Sequence, residues 1–176
     1  HLWRKNSILV DDKVYPFADF IHMVTYPVHN AALKRKPTRI AKLAPDAKAL
    51  NSHDYFNFTP LAYATINGDI EMMKGFIASG ADPDMILSGG TTALHQAMIS
   101  EDENAALVLL ESGARADIAD IDGRTSLHIC ANNQMLKVFP SSLRVEFDLN
   151  KKDSKGLTPL DYAIKKGSYQ MVTDLA

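Results

Sequence analysis

The chain has 176 residues, 46% of them hydrophobic and 23% charged, and a formal net charge of −2 at neutral pH. That length and apolar content can bury a sizeable core, and the near-neutral balance gives no reason to expect a nucleic-acid partner. A single cysteine, Cys130, excludes an internal disulfide framework and fits a reducing compartment, the cytoplasm or the nucleus; no apolar run approaches the ~18 residues of a membrane span, and no secretory leader is visible.

Residues 1–24 read as a flanking segment. In "ILVDDKVY" the apolar runs on either side of Asp11 and Asp12 predict a small hairpin, and "FADFIHMV" predicts a helix. Next comes "YPVHNAALKRKPTRIAKLAPDAKAL", with five basic residues, Lys34, Arg35, Lys36, Arg39 and Lys42. This run is a solvated face or a patch for an anionic partner: an acidic protein, an anionic lipid surface or the import machinery. Asp117, Asp120 and Asp122 lie far along the chain from it, so an electrically lopsided molecule is expected.

From Thr59 a step of 33 residues lands on Thr92, Thr125 and Thr158, giving "TPLAYAT", "TALHQAM", "TSLHICA" and "TPLDYAI" without insertion. A fixed period of this size marks a stacked repeat protein, in which each unit buries its apolar face against the next. Within a unit, the threonine is an N-cap, and Pro60 and Pro159 stand where a missing N–H costs nothing. Leu61, Leu94, Leu127 and Leu160, with Ala64, Ala97, Cys130 and Ala163 three residues on, predict a narrow inner helix that packs closely. Gly68 and Gly167 end it, and an outer helix with Ile70, Met73, Phe76 and Ile77 on one face follows, closed by Gly80. In the second unit "SEDENAA" replaces the glycine turn and sets three acidic residues at the start of the outer helix, where its dipole favours them. In the third, Pro140 predicts an outer helix that is short or broken, and Glu146 and Phe147 replace the usual ending. Polar, turn-rich connections such as "GADPDM" predict hairpin-like fingers between units.

"TPLAYATINGDIEMMKGFIASGAD", "GTTALHQAMISEDENAALVLLESGARAD" and "DGRTSLHICANN" resemble the ankyrin repeat over about residues 54–176, with a degenerate, cap-like first unit beginning near Tyr26. The resemblance implies an all-α ankyrin-repeat solenoid of stacked helix-turn-helix units over 25–176, divided at about 25–53, 54–86, 87–119, 120–152 and 153–176. The last unit ends within its outer helix, and with a start at His1 rather than Met the sequence is expected to be part of a longer chain. The opening "HLWRK" is similar to the end of an F-box.

The resemblance implies a protein-interaction scaffold that takes a partner protein or peptide on the concave surface of fingers and inner helices. Tyr55, Phe56, Phe58, Met85 and Ile86 are the apolar candidates there, with Ile121, Arg124 and Lys155 at corresponding, more polar fingers. The aromatics are either binding anchors or are covered by the first 53 residues. His95 and His128 are expected, by the same resemblance, to tie one unit to the next. His128 and Cys130 lie on different helix faces and make no nucleophile–base pair; the sequence has no phosphate loop, metal-spaced set or nucleophile elbow. No catalytic site, cofactor or metal is therefore expected. A second reading is that the repeats are the targeting or regulatory arm of a larger enzyme or ubiquitin-ligase adaptor, including a host-directed bacterial or viral effector.

Overall fold

The computed structural model describes residues 3–4, 7–10, 13–16, 27–33, 47–135, 138 and 148–176. At the start, β1 (Trp3–Arg4), β2 (Ser7–Val10) and β3 (Lys13–Pro16) form an antiparallel sheet in that order. β2 and β3 pair Ile8 with Tyr15 and Val10 with Lys13, which is the hairpin expected on either side of Asp11 and Asp12, and Trp3–Arg4 adds a third strand. The helix expected over 17–24, the basic run from Lys34 to Lys42, the break at Pro140 and the altered ending at Glu146 and Phe147 lie outside the described residues.

The rest is an all-α stack. Its elements are α1 (Pro27–Leu33), α2 (Ala47–Leu50), α3 (Pro60–Ile66), α4 (Ile70–Ala78), α5 (Ala93–Ile99), α6 (Glu103–Glu111), α7 (Ser126–Asn133), α8 (Pro159–Lys166) and α9 (Tyr169–Leu175). The inner helices α1, α3, α5, α7 and α8 pack in sequence, and α4 lies against α6 in an outer row. Ala64, Ala97, Cys130 and Ala163 are all fully buried, so the small residues sit where the inner helices approach. Met72, Met73, Phe76, Leu94, Leu109 and Met171 fill the space between the two rows.

Local chemistry fixes each boundary. Thr59 Oγ1 accepts the Ala62 N–H at 3.3 Å to cap α3, and Asp69 and Asp102 cap the outer helices α4 and α6 through the N–H groups of Met72 and Ala105. The inner helices end on a left-handed residue at one repeat position, Gly68, Glu101, Gln134 and Gly167. The two non-glycine residues there each carry about 1 kcal/mol of backbone strain.

Histidines stitch the units together as expected. His95 Nδ1 faces the Thr92 N–H at 3.2 Å and Oγ1 at 2.9 Å, and its Nε2 reaches the Arg124 carbonyl of the next unit at 3.2 Å. His128 repeats this with Thr125 and, at 3.1 Å, the Leu157 carbonyl. A carbonyl accepts only, so Nε2 carries the proton and Nδ1 accepts: both rings must be neutral. His29, in the degenerate first unit, likewise sets Nε2 at 3.0 Å from the Phe58 carbonyl. At the corresponding position of residues 54–86 stands Ala62, which has no ring to offer.

Burial holds His95 and His128 below the ordinary imidazole value of 6.5, outweighing the carbonyls of Arg124 and Leu157, which favour the charged ring. The unfolded chain therefore takes up protons that the folded one refuses. Stability is full above about pH 6.5 and falls as the pH drops below it. Urea midpoints are expected to be lower at about pH 5.5 than at about pH 7.5, and the difference is expected to shrink in a His95→Gln/His128→Gln variant; equal midpoints in the parent protein would contradict this.

Candidate functional site

Four fingers project between the units, each closed by the same two backbone bonds. The N–H groups of Asp54, Leu87, Asp120 and Asp153 reach the carbonyls of Phe58, Thr91, Arg124 and Leu157 at 2.7–3.0 Å. At each tip the N–H of Asn57, Gly90, Gly123 or Gly156 returns to the first residue of the finger, and all four residues are left-handed, with φ from +61° to +76°.

A carboxylate organises three of the fingers from within. Asp54 Oδ1 accepts the N–H groups of Phe56 and Phe58, and Oδ2 accepts the Tyr63 hydroxyl at 2.7 Å. Asp153 does the same with Lys155, Leu157 and, at 2.8 Å, Tyr162. Burial, followed by the bond to Asp54, raises the Tyr63 phenol, so it remains a donor. In the third finger Ile129 stands in place of the tyrosine, and the Arg124 guanidinium takes the free Asp120 oxygen at 2.8 and 3.0 Å. In the second, Leu87 replaces the aspartate and is 2% exposed, and Gln96 at the tyrosine position donates to Thr91 Oγ1 instead.

The tips are joined to one another. Ser88 donates its N–H to the Asn57 carbonyl, Ile121 to Gly89 and Ser154 to Asp122, at 2.8–3.2 Å. The result is one continuous strip of backbone rather than independent loops. Gly123 is required for it: a Cβ there would lie 2.9 Å from the Ser154 nitrogen.

On this strip the proposed partner residues separate into two groups. Tyr55 is 85% exposed, Phe56 61%, Ile121 79% and Ile86 49%, and Lys155 is also exposed. Tyr55 and Phe56 pack edge to face, with centroids 5.6 Å apart. Phe58 and Met85 are half-buried, and Phe58 lies against the Tyr63 ring at 5.6 Å, within the support of the finger. Arg124 is engaged by Asp120 and Asp122. The side chains of Lys34, Arg35, Lys36, Arg39 and Lys42 lie outside the described residues.

The acidic stretch read from the sequence is not a free charge cluster. Asp120 is buried in its finger, Asp122 pairs with Arg124 at 3.2 Å, and Asp117 pairs with Arg115 at 2.8 Å, which holds the Asp117 carboxyl below the usual range. Local arginines compensate it, a consequence of i+2 and i+4 neighbours that a list of acidic residues overlooks.

Sequence reading assigned the inner helices to the concave face but singled out neither Ile66 nor Ile99 on its floor. A cleft of about 340 Å³ opens between α5, α7 and α8, walled by Ile99 and Ile129 and edged by Arg124, Asn132, Asn133 and Tyr162. Ile66 stands one 33-residue step before Ile99, and both are exposed. That step, applied to the inner helices as it was to the threonines, would have found them.

Cys130 is buried, and burial pushes its thiol up to about 12, while both nitrogens of His128 are committed to the joint between units. The two make no nucleophile–base pair. Among the described residues no group of three or more His, Cys, Asp or Glu could hold a metal, and no helix is long and apolar enough to cross a membrane.

A family model described as ankyrin repeats, in three copies, matches residues 28–120. Similar proteins include the ankyrin repeat protein FPV031 of fowlpox virus, 31% identical over 66% of this chain and 36% of its own length. Ankyrin repeat and SOCS box protein 16 of Homo sapiens is 32% identical over 64% of this chain and 25% of its own, and the B-cell lymphoma 3 protein homolog of Mus musculus 24% identical over 83% and 35%. The chain thus spans between 25% and 36% of the length of these relatives. The match takes in the degenerate first unit, and α7, α8 and their fingers repeat the same geometry beyond residue 120, so the chain belongs to the ankyrin-repeat family, whose repeats are generally protein-interaction modules.

Proposed function

We propose that the strip of finger tips and the inner-helix floor beside it form a docking surface for a segment of a partner protein. The observation that carries this is Tyr55, 85% exposed and packed edge to face with Phe56 at the tip of a finger whose backbone is fixed by Asp54. Large aromatic side chains held on a rigid support lose little entropy on binding and are the usual energetic centres of interfaces. Ile86 and Ile121 extend the same edge, while Arg124 and Lys155 give it polar selectivity. The single buried thiol and the uncharged rings that hold the units suit the cytoplasm or nucleus.

The test is a displayed library of random peptides selected on the immobilised protein. A Tyr55→Ser/Ile86→Ser variant is expected to bind the selected peptides at least about 30-fold more weakly, with an unchanged denaturation midpoint, since anchor residues contribute about 2 kcal/mol or more each. Equal binding by that variant would remove the fingers from consideration.

A second reading, favoured by the greater length of the relatives, makes these repeats the targeting arm of a longer protein. One relative is named for a SOCS box as well as its repeats, and another is viral. On this reading the same surface selects the client of an adaptor or of a host-directed effector, and sequencing the whole reading frame tests it.

A further inference from the structure

The concave face changes character along its length. Over its first two units it is apolar, with Tyr55 and Phe56 at the tip, Ile86 at the edge, and Ile66 and Ile99 on the floor. At the other end its exposed groups are cationic. Lys155 is at the fourth finger tip, and Lys165 and Lys166 stand one 33-residue step after Asn132 and Asn133, the residues that edge the cleft. Lys165 and Lys166 therefore continue the same floor.

The charge beneath the two ends differs in the same sense. Residues 54–119 contain ten acidic and two basic side chains, a net −8, whereas residues 148–176 contain four acidic and five basic, a net +1. Two of those four carboxylates are committed locally, Asp153 inside its finger and Asp161 to the N–H and hydroxyl of Thr158. An acidic segment is repelled by the first two units and attracted by the last, so the field sets the direction in which a ligand lies.

Resting on the docking surface proposed above, we infer that the partner segment is bipolar: an apolar cluster seats on the first two fingers and an acidic cluster on Lys155, Lys165 and Lys166. Three inter-unit steps of about 10 Å separate the two ends, which an extended chain rising about 3.3 Å per residue covers in about nine residues. The partner is thus a peptide with aromatic or aliphatic residues at one end and Asp or Glu about nine residues away.

The displayed peptide library tests this against the whole chain. Selected sequences are expected to carry both clusters at that separation, and synthetic versions with Asp and Glu changed to amides are expected to bind about tenfold more weakly at low salt, the loss fading as salt is raised. Lys155→Gln/Lys165→Gln/Lys166→Gln is expected to reproduce that loss; since all three side chains are exposed and glutamine places no anion at the end of α8, the denaturation midpoint shifts little. Peptides without an acidic cluster, or a triple variant with parental affinity, overturn the bipolar assignment. If the Tyr55→Ser/Ile86→Ser variant still loses binding in that case, the docking surface stands and only the partner's chemistry is wrong. If neither variant changes affinity, the concave face is not the binding surface and both proposals fall.

Discussion

Gly123→Ala is expected to destabilise the protein by about 3 kcal/mol, while Gly156→Ala costs only about 1 kcal/mol. The two glycines occupy the same place in successive fingers, at φ +74° and +76°, so the strain of a left-handed alanine is common to both. They differ in what lies opposite. At Gly123 the added Cβ meets the Ser154 nitrogen at 2.9 Å and the Asp153 backbone at 3.3 Å, whereas at Gly156 nothing lies within 4 Å. Relieving that contact stretches the Ser154 to Asp122 hydrogen bond, 2.8 Å long, that joins the last two fingers. Urea midpoints of the two variants measure the difference directly. Equal losses would mean that the fingers are not in backbone contact.

His128→Ala is expected to cost about 3 kcal/mol, from two lost hydrogen bonds and the void left by a buried ring. The ring reaches both Thr125 and the Leu157 carbonyl and lies edge-on to Tyr162, with centroids 5.8 Å apart. His128→Asn separates these roles. Its amide oxygen can still accept the Thr125 N–H, much as the Asp161 carboxylate accepts that of Thr158 at 2.7 Å, but it cannot span to the next unit. Asparagine is therefore expected to recover about 1 kcal/mol, the worth of the cap, and leave the remainder, the worth of the tie. Full recovery by asparagine would show that the joint between units needs no ring.

The architecture was legible because its causes are local and repeat. Threonine caps, small residues on the inner helix and left-handed glycines recur at one spacing, and the structure has each where the spacing puts it. The finger surface was legible in part. Tyr55, Phe56 and Ile86 stand out as apolar residues in turns, and they are exposed. Leu87 follows Met85 and Ile86 in the same apolar run, yet it is core, because it holds the place that Asp54, Asp120 and Asp153 hold and so points inward. Asp120 was read as surface charge for the converse reason. Its carboxylate is spent on two backbone N–H groups and Arg124. Inward or outward direction in a finger follows from the three-centre bonding of one side chain, which composition alone does not reveal. Ile66 and Ile99 were missed because an isoleucine near a helix end is unremarkable until the neighbouring helix brings a second one alongside.

The alanine at position 62 has a mechanical meaning. Every other described junction of inner helices is fastened by a histidine ring, His29, His95 or His128; between residues 54–86 and 87–119 neither the histidine nor the finger aspartate is present, since Ala62 and Leu87 replace them. Coupling across that seam comes from apolar contact, one finger-to-finger bond and the Arg115 N–H bond to the exposed Asp84 carboxylate, with no buried ring among them, so a stack pulled from its ends is expected to part there first. Ile66 and Ile99 lie on opposite sides of the seam. A ligand that touches both bridges the weakest joint of the array, and its binding would register as resistance to force as well as occupancy.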